Sequence, residues 1–243
     1  MAKEQAALAV QEEQNLAVQD VTFDLPALVN PEEVREIMEE NLEGLGPMKF
    51  DKIGLPSGGG ISFTLIDESG EENPVKEISG VILDKTPFKA WYIRSFDEKI
   101  EEDTGVPDCF SSDNVRGSGC IEAGRADGQL CEKCPKGQWG SDRKGGKGKD
   151  CTDKSRLHIL MEGDVFPKII DLPPSSIRNF NKYVVRLTNK LKSLYSVVTT
   201  LGLEKDKSGG GIAYSRVTFA KAADLSHKEK VEIKKYIQML KPA

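Results

Sequence analysis

Cys131 and Cys134 form a C-x-x-C pair, with Cys109 upstream, Cys151 downstream and a fifth cysteine, Cys120, inside the first gap. Such a pair puts two thiolates on one tight turn, and zinc takes four such ligands at about 2.3 Å in a tetrahedron. Cys131 and Cys134 supply half a site; Cys109 and Cys151 bracket the segment and return to supply the other half. The set predicts one structural zinc ion on Cys109, Cys131, Cys134 and Cys151, with Cys120 as the alternative to Cys109. An odd number of cysteines in a reducing compartment disfavours a disulfide framework, and C-E-K-C sits in no βαβ pattern of the thioredoxin kind. His158 and His227 both lie outside the segment, so an open, histidine-bearing catalytic zinc is not expected.

The segment is also basic. Lys133, Lys136, Arg143, Lys144, Lys147, Lys149, Lys154 and Arg156 are interleaved with Trp139 and glycines. Upstream, the run Phe88-Lys89-Ala90-Trp91-Tyr92-Ile93-Arg94 alternates aromatic and basic residues. Rings that stack on bases beside cations that meet phosphates are the equipment for single strands. Successive strand residues face opposite ways, so only one of Trp91 and Tyr92 lines a groove while the other packs inside. The expected nucleic-acid contacts are Lys89, Trp91, Tyr92, Arg94, Lys136, Trp139, Arg143, Lys144, Lys147 and Lys149.

Catalysis finds less support. A histidine-based triad is hard to build from two histidines, the acids form no D-x-D cluster, and residues 140–147 lack the spacing of a phosphate-binding loop. No enzyme is predicted, and a metal-dependent nuclease ranks third. With 34 Lys and Arg against 39 Asp and Glu, the formal charge of -5 excludes a uniformly basic coat for duplex binding. No run reaches the roughly 20 apolar residues of a membrane span, and acids interrupt the first thirty residues where a signal peptide is apolar. A cytoplasmic chain is expected.

These residues need a frame. Residues 1–29 read as a flexible N-terminal arm and 30–243 as one domain. Asn30-Pro31-Glu32-Glu33 is a helix start, with a stop near Gly44 or Gly46. Residues 60–66, 76–83 and 88–95 read as strands. From about 101 to 153 the apolar pattern vanishes, which marks an insert held by something other than a hydrophobic core. Strands resume at 156–161 and 167–172. Ile177, Phe180, Val184, Leu187 and Leu191 recur at helical spacing; strands at 195–203 and 211–219 and a helix at 226–240 follow. The expected fold is mixed β with α: a small barrel or sandwich with an inserted zinc loop and flanking helices.

Gly80-Val81-Ile82-Leu83 with the aromatic strand after it, Pro107-Asp108-Cys109-Phe110-Ser111-Ser112-Asp113 followed by Cys131-x-x-Cys134-Pro135 and Gly146-Lys147-Gly148-Lys149-Asp150-Cys151, and Leu172-Pro173-Pro174-Ser175-Ser176 belong together. Over roughly residues 50 to 220 they resemble uncharacterised proteins of phages and plasmids. The resemblance implies the four-cysteine set without Cys120. More loosely, the arrangement is similar to the zinc-containing OB-fold single-stranded DNA-binding proteins of tailed phages, from which this sequence departs in lacking a histidine ligand and a long acidic tail. The resemblance implies an OB-like β-barrel with an inserted zinc loop and flanking helices, and the function it implies is binding of single-stranded DNA without base specificity, in phage or mobile-element replication or recombination, with proteins of that machinery as partners. The alternative is a zinc-stapled interaction module that docks on a host polymerase or nuclease, inhibition of that enzyme being one form of it.

Overall fold

The computed structural model describes residues 23, 31–44, 50–94, 107–119, 130–143, 145–208, 211 and 213–240. Helix α1, Pro31–Leu42, opens on a proline and carries Glu32 and Glu33 in its first turn, where acids meet the positive end of the helix dipole. Gly44 takes a φ of +77° just beyond it, the left-handed conformation that ends helices. Strands β1 (Phe63–Ile66) and β2 (Glu72–Val75) form a separate antiparallel hairpin. Its turn is closed by Asp67, which accepts from the backbone N–H groups of Ser69 and Glu71 at 2.9 and 3.0 Å.

The main sheet comprises β3 (Glu77–Trp91), β4 (Cys109–Ser111), β5 (Thr152–Met161), β6 (Lys168–Leu172), β7 (Val197–Lys207) and β8 (Ala213–Asp224). Its order is β6-β5-β3-β7-β8, with β4 paired to β3, and every pairing is antiparallel. Helices α2 (Pro174–Thr188) and α3 (His227–Leu240) cover its two faces. Ile78, Ile82, Leu157 and Ile159 pack with Phe180, Tyr183 and Leu187 of α2. Their strand neighbours Val81, Leu83 and Leu160 pack with Ile233 and Tyr236 of α3, joined by Phe23. This two-residue alternation explains why β3 is apolar at three consecutive positions: both faces are buried. Gly80 marks a close approach, since a Cβ there would meet the Ile159 side chain at 2.6 Å and the Leu160 carbonyl at 2.7 Å.

Mixed β with flanking helices is the architecture found. The sheet is not closed into a barrel: β6 and β8 are the two ends of its order. With a helix on each face, the apolar surface is buried without closure. A second correction concerns β3, read from sequence as two strands. The chain continues through Asp84-Lys85-Thr86-Pro87 because a bulge shifts the register from Ile82↔Ile159 to Asp84↔His158. Opposite β5, the edge of β3 is paired only through Gly80 with β7 and from Lys89 with β4, so Pro87 faces a gap in the ladder, where proline is tolerated. β7 and β8 also run further than their apolar residues do. Arg216 bridges Glu204 at 2.7 Å and Asp206 at 3.0 Å across the pair, and such cross-strand pairs extend a hairpin into polar sequence. No helix among the described residues is long and apolar enough to cross a membrane. Apart from buried Phe23, the N-terminal arm lies outside the described residues, as do Cys120 and Lys144.

Candidate metal centre

β3 and β5 are adjacent strands paired as far as Ala90↔Thr152, so the insert leaves the sheet at Trp91 and re-enters at Cys151. On the other edge of β3, Cys109 stands directly opposite Trp91. Directly paired residues share a face; Trp91, Cys109 and Cys151 accordingly form one buried cluster. The C-x-x-C turn is brought to the same place by the backbone. The Cys131 N–H donates to the Val115 carbonyl at 2.8 Å, the Cys134 N–H to the Cys131 carbonyl at 3.2 Å, and the Cys151 N–H to the Lys136 carbonyl at 2.8 Å.

All four cysteines are buried and outside any disulfide. With Lys89, they line one cavity of about 10 Å³, close to the least volume that admits a water; a single ion fits, an organic cofactor does not. Among the described residues no group of three or more histidine, cysteine, aspartate or glutamate side chains is spaced as a formed metal site, so the thiols converge without closing into a coordination sphere. Burial, reinforced by Cys134, pushes the Cys151 thiol up to about 11. A redox or nucleophilic cysteine needs the opposite shift, whereas a coordinated metal deprotonates a thiol outright.

Beside the cavity lies a charge hub that the sequence reading did not single out. The Asp150 side chain is 5% exposed. It accepts from Trp91 Nε1 at 2.7 Å and from Arg143 Nε at 2.7 Å, and pairs with Lys136 Nζ at 3.2 Å. Burial alone would raise its pKa, but the Arg143, Trp91 and Lys136 hydrogen bonds outweigh that and hold the carboxyl below its ordinary value. The Arg143 guanidinium also donates to the carbonyls of Tyr92 and Ile93. Lys89 and Lys149 both bond Asp153, with Lys149 at 2.8 Å.

Several of the residues expected to contact nucleic acid have partners within the protein. Trp91 is 5% exposed and packs inside the loop, while its neighbour Tyr92 is half-buried. Lys136 and Arg143 pair with Asp150 of the loop, and Lys89 pairs with Asp153 of β5. Arg94 and Lys147 are exposed. Trp139 is 78% exposed, with Lys149 Nζ 5.1 Å from its ring centre. Lys154 lies over the Tyr92 ring at 5.6 Å.

The chain matches no family model, no curated protein and no solved structure.

The sequence reading also missed the outward face of α2, where Arg178, Lys182 and Arg186 are exposed. The available signal was the absence of any acidic residue between Asp171 and Glu204.

Asp171 gives the fold an acid limit. Its side chain is 7% exposed and meets Arg156 at 2.8 and 3.0 Å and Lys52 at 2.9 Å. Burial would raise its pKa, but the Arg156 and Lys52 hydrogen bonds outweigh that and hold it below the ordinary 3.8. A depressed carboxyl stabilises the fold above its unfolded pKa and loses that contribution as pH falls through the folded one. In urea melts, Asp171→Asn should be less stable than wild type by about 2 kcal/mol near neutral pH. The two curves should converge below about pH 3; a gap of constant size down to acid would show that the carboxylate charge is not the cause.

Proposed function

We propose that this protein binds single-stranded DNA without base specificity, using a loop folded around one structural zinc ion held by Cys109, Cys131, Cys134 and Cys151. The support for the ion is the convergence of four buried thiols, from three separated segments, on one ion-sized cavity. Their chemistry fits: soft thiolates select zinc, and a complete sulfur shell leaves no position for substrate, so the ion works by holding the loop. Lys89 at the cavity edge offsets part of the negative charge of four thiolates. Such a site persists in a reducing cytoplasm.

The observation that carries the nucleic-acid reading is Trp139. Its ring stands 78% exposed on the loop that the cysteines fasten, with Lys149 over it and exposed Lys147 nearby. A base stacks on such a ring whatever its identity, which gives binding without sequence preference. The resemblance to phage and plasmid proteins points to replication or recombination of mobile DNA as the setting.

The test is fluorescence anisotropy of labelled single-stranded and duplex oligonucleotides against the zinc-loaded, full-length chain. Single strands should be preferred, and Trp139→Ala should cost about 1–3 kcal/mol of binding. Equal affinity for duplex, or an unchanged Trp139→Ala variant, would refute the reading. A second reading, a zinc-stapled module docking on a host polymerase or nuclease, is favoured by the acidic surface of α1, where Glu32, Glu36, Glu39 and Glu40 are exposed. A complex with such an enzyme that survives high salt and nuclease digestion would support it.

A further inference from the structure

Three cations of the zinc loop have acidic partners within the loop or on the adjoining strand: Lys136 and Arg143 with Asp150, Lys149 with Asp153. Helix α2 is different. Arg178, Lys182 and Arg186 are exposed and make no ion pair among the described residues, while Ser176, Phe180, Tyr183 and Leu187 are buried on the opposite face. The three cations recur every fourth residue, so they form one row with a step of about 6 Å along the helix. Exposed Lys190 follows at the same interval, just past the last turn. A shallow groove of about 710 Å³ runs along this face and is lined by Arg178, Lys182, Arg186, Asn181 and Val185.

Like charges at this spacing repel by a few tenths of a kcal/mol per pair, and no acid between Asp171 and Glu204 relieves them. In a chain with more acids than bases, an unrelieved cationic row matches a partner that brings its own regular negative charge. The row is also placed to continue the loop. By the two-residue period of a strand, Cys151, Asp153 and Ser155 share the face of β5 that sends Leu157 and Ile159 under α2. The zinc loop and α2 therefore lie on the same side of the sheet, and β6, which leads into α2, pairs with β5 at Ser155↔Leu172 beside the loop's return.

We propose that Arg178, Lys182 and Arg186 of α2 carry the phosphate backbone of a single strand whose bases stack at the zinc loop. This rests on the single-strand reading above and assigns to α2 most of the electrostatic binding. About 0.7 counterions are released per single-strand phosphate, so losing three contacts should flatten the slope of log affinity against log salt by about 2, or about a hundredfold in affinity at ~0.1 M salt.

The experiment is an anisotropy salt series on the full-length chain with the triple variant Arg178→Ala, Lys182→Ala and Arg186→Ala, beside Arg178→Lys with Arg186→Lys. The alanine variant should lose slope and affinity by these amounts while its thermal midpoint holds or rises, because alanine favours helix; the lysine variant should keep the slope. A wild type that binds single strands with a steep slope, matched by the alanine variant, would overturn the α2 assignment and leave the single-strand reading intact. An equal loss on duplex would overturn the assignment to a single strand, and a wild type that binds no single strand would overturn both.

Discussion

Removing zinc from the full-length chain should open the inserted loop and leave the sheet standing. A structural zinc contributes on the order of 10 kcal/mol to the segment it folds, and the apolar cluster of this loop is small: Trp91 with Cys109 and Cys151. The sheet is buried by α2 and α3 through clusters that include no cysteine. Hydrogen exchange after chelation should therefore show lost protection at the Cys131 and Cys151 amides, which donate to Val115 and Lys136. Amides pairing Ile78–Gly80 of β3 with β7 should stay protected. Cys134→Ser should reproduce the pattern without chelator. Unchanged protection of the loop amides would mean that the loop holds itself together without an ion.

Trp91→Ala should cost the inserted loop about 3–5 kcal/mol of stability, the range for truncating a buried large aromatic. The ring is 5% exposed, faces Lys136 at 5.3 Å and Arg143 at 5.6 Å, and donates to Asp150. Trp91→Phe keeps an aromatic ring but loses the indole donor; Arg143 and Lys136 still partner the carboxylate, so the cost should be about 1 kcal/mol beyond the packing loss. Hydrogen exchange at the Cys131 and Cys151 amides, which reports opening of the loop, separates the two. A Trp91→Ala protein as stable as wild type yet weaker for single strands would place the ring in the binding groove.

The parts legible from sequence were those with a local rule. Ile177, Phe180, Val184, Leu187 and Leu191 recur at helical spacing and α2 forms over the first four, ending at Thr188 before the 97% exposed Leu191; Asn30-Pro31-Glu32-Glu33 reads as a start and α1 begins at Pro31. The cysteine spacing also picked out the four side chains that share a cavity. What stayed hidden depends on partners distant in the chain. Asp84-Lys85-Thr86-Pro87 has the composition of a turn, and only the bulge against β5 shows that the strand continues. An open sheet with both faces covered and a closed barrel present the same apolar runs, so closure was not readable. Charge counting found the cations of the loop but not Asp150 and Asp153, whose positions decide which are occupied. Reading α2 for its apolar face alone hid the basic row on its back.

The most direct test of the metal centre is elemental analysis of the purified full-length chain together with X-ray absorption at the zinc edge. The account predicts one zinc per chain with four sulfur neighbours at about 2.3 Å, and loss of the metal in Cys131→Ser with Cys134→Ser. A chain that holds no zinc, or a shell containing nitrogen or oxygen ligands, would contradict it.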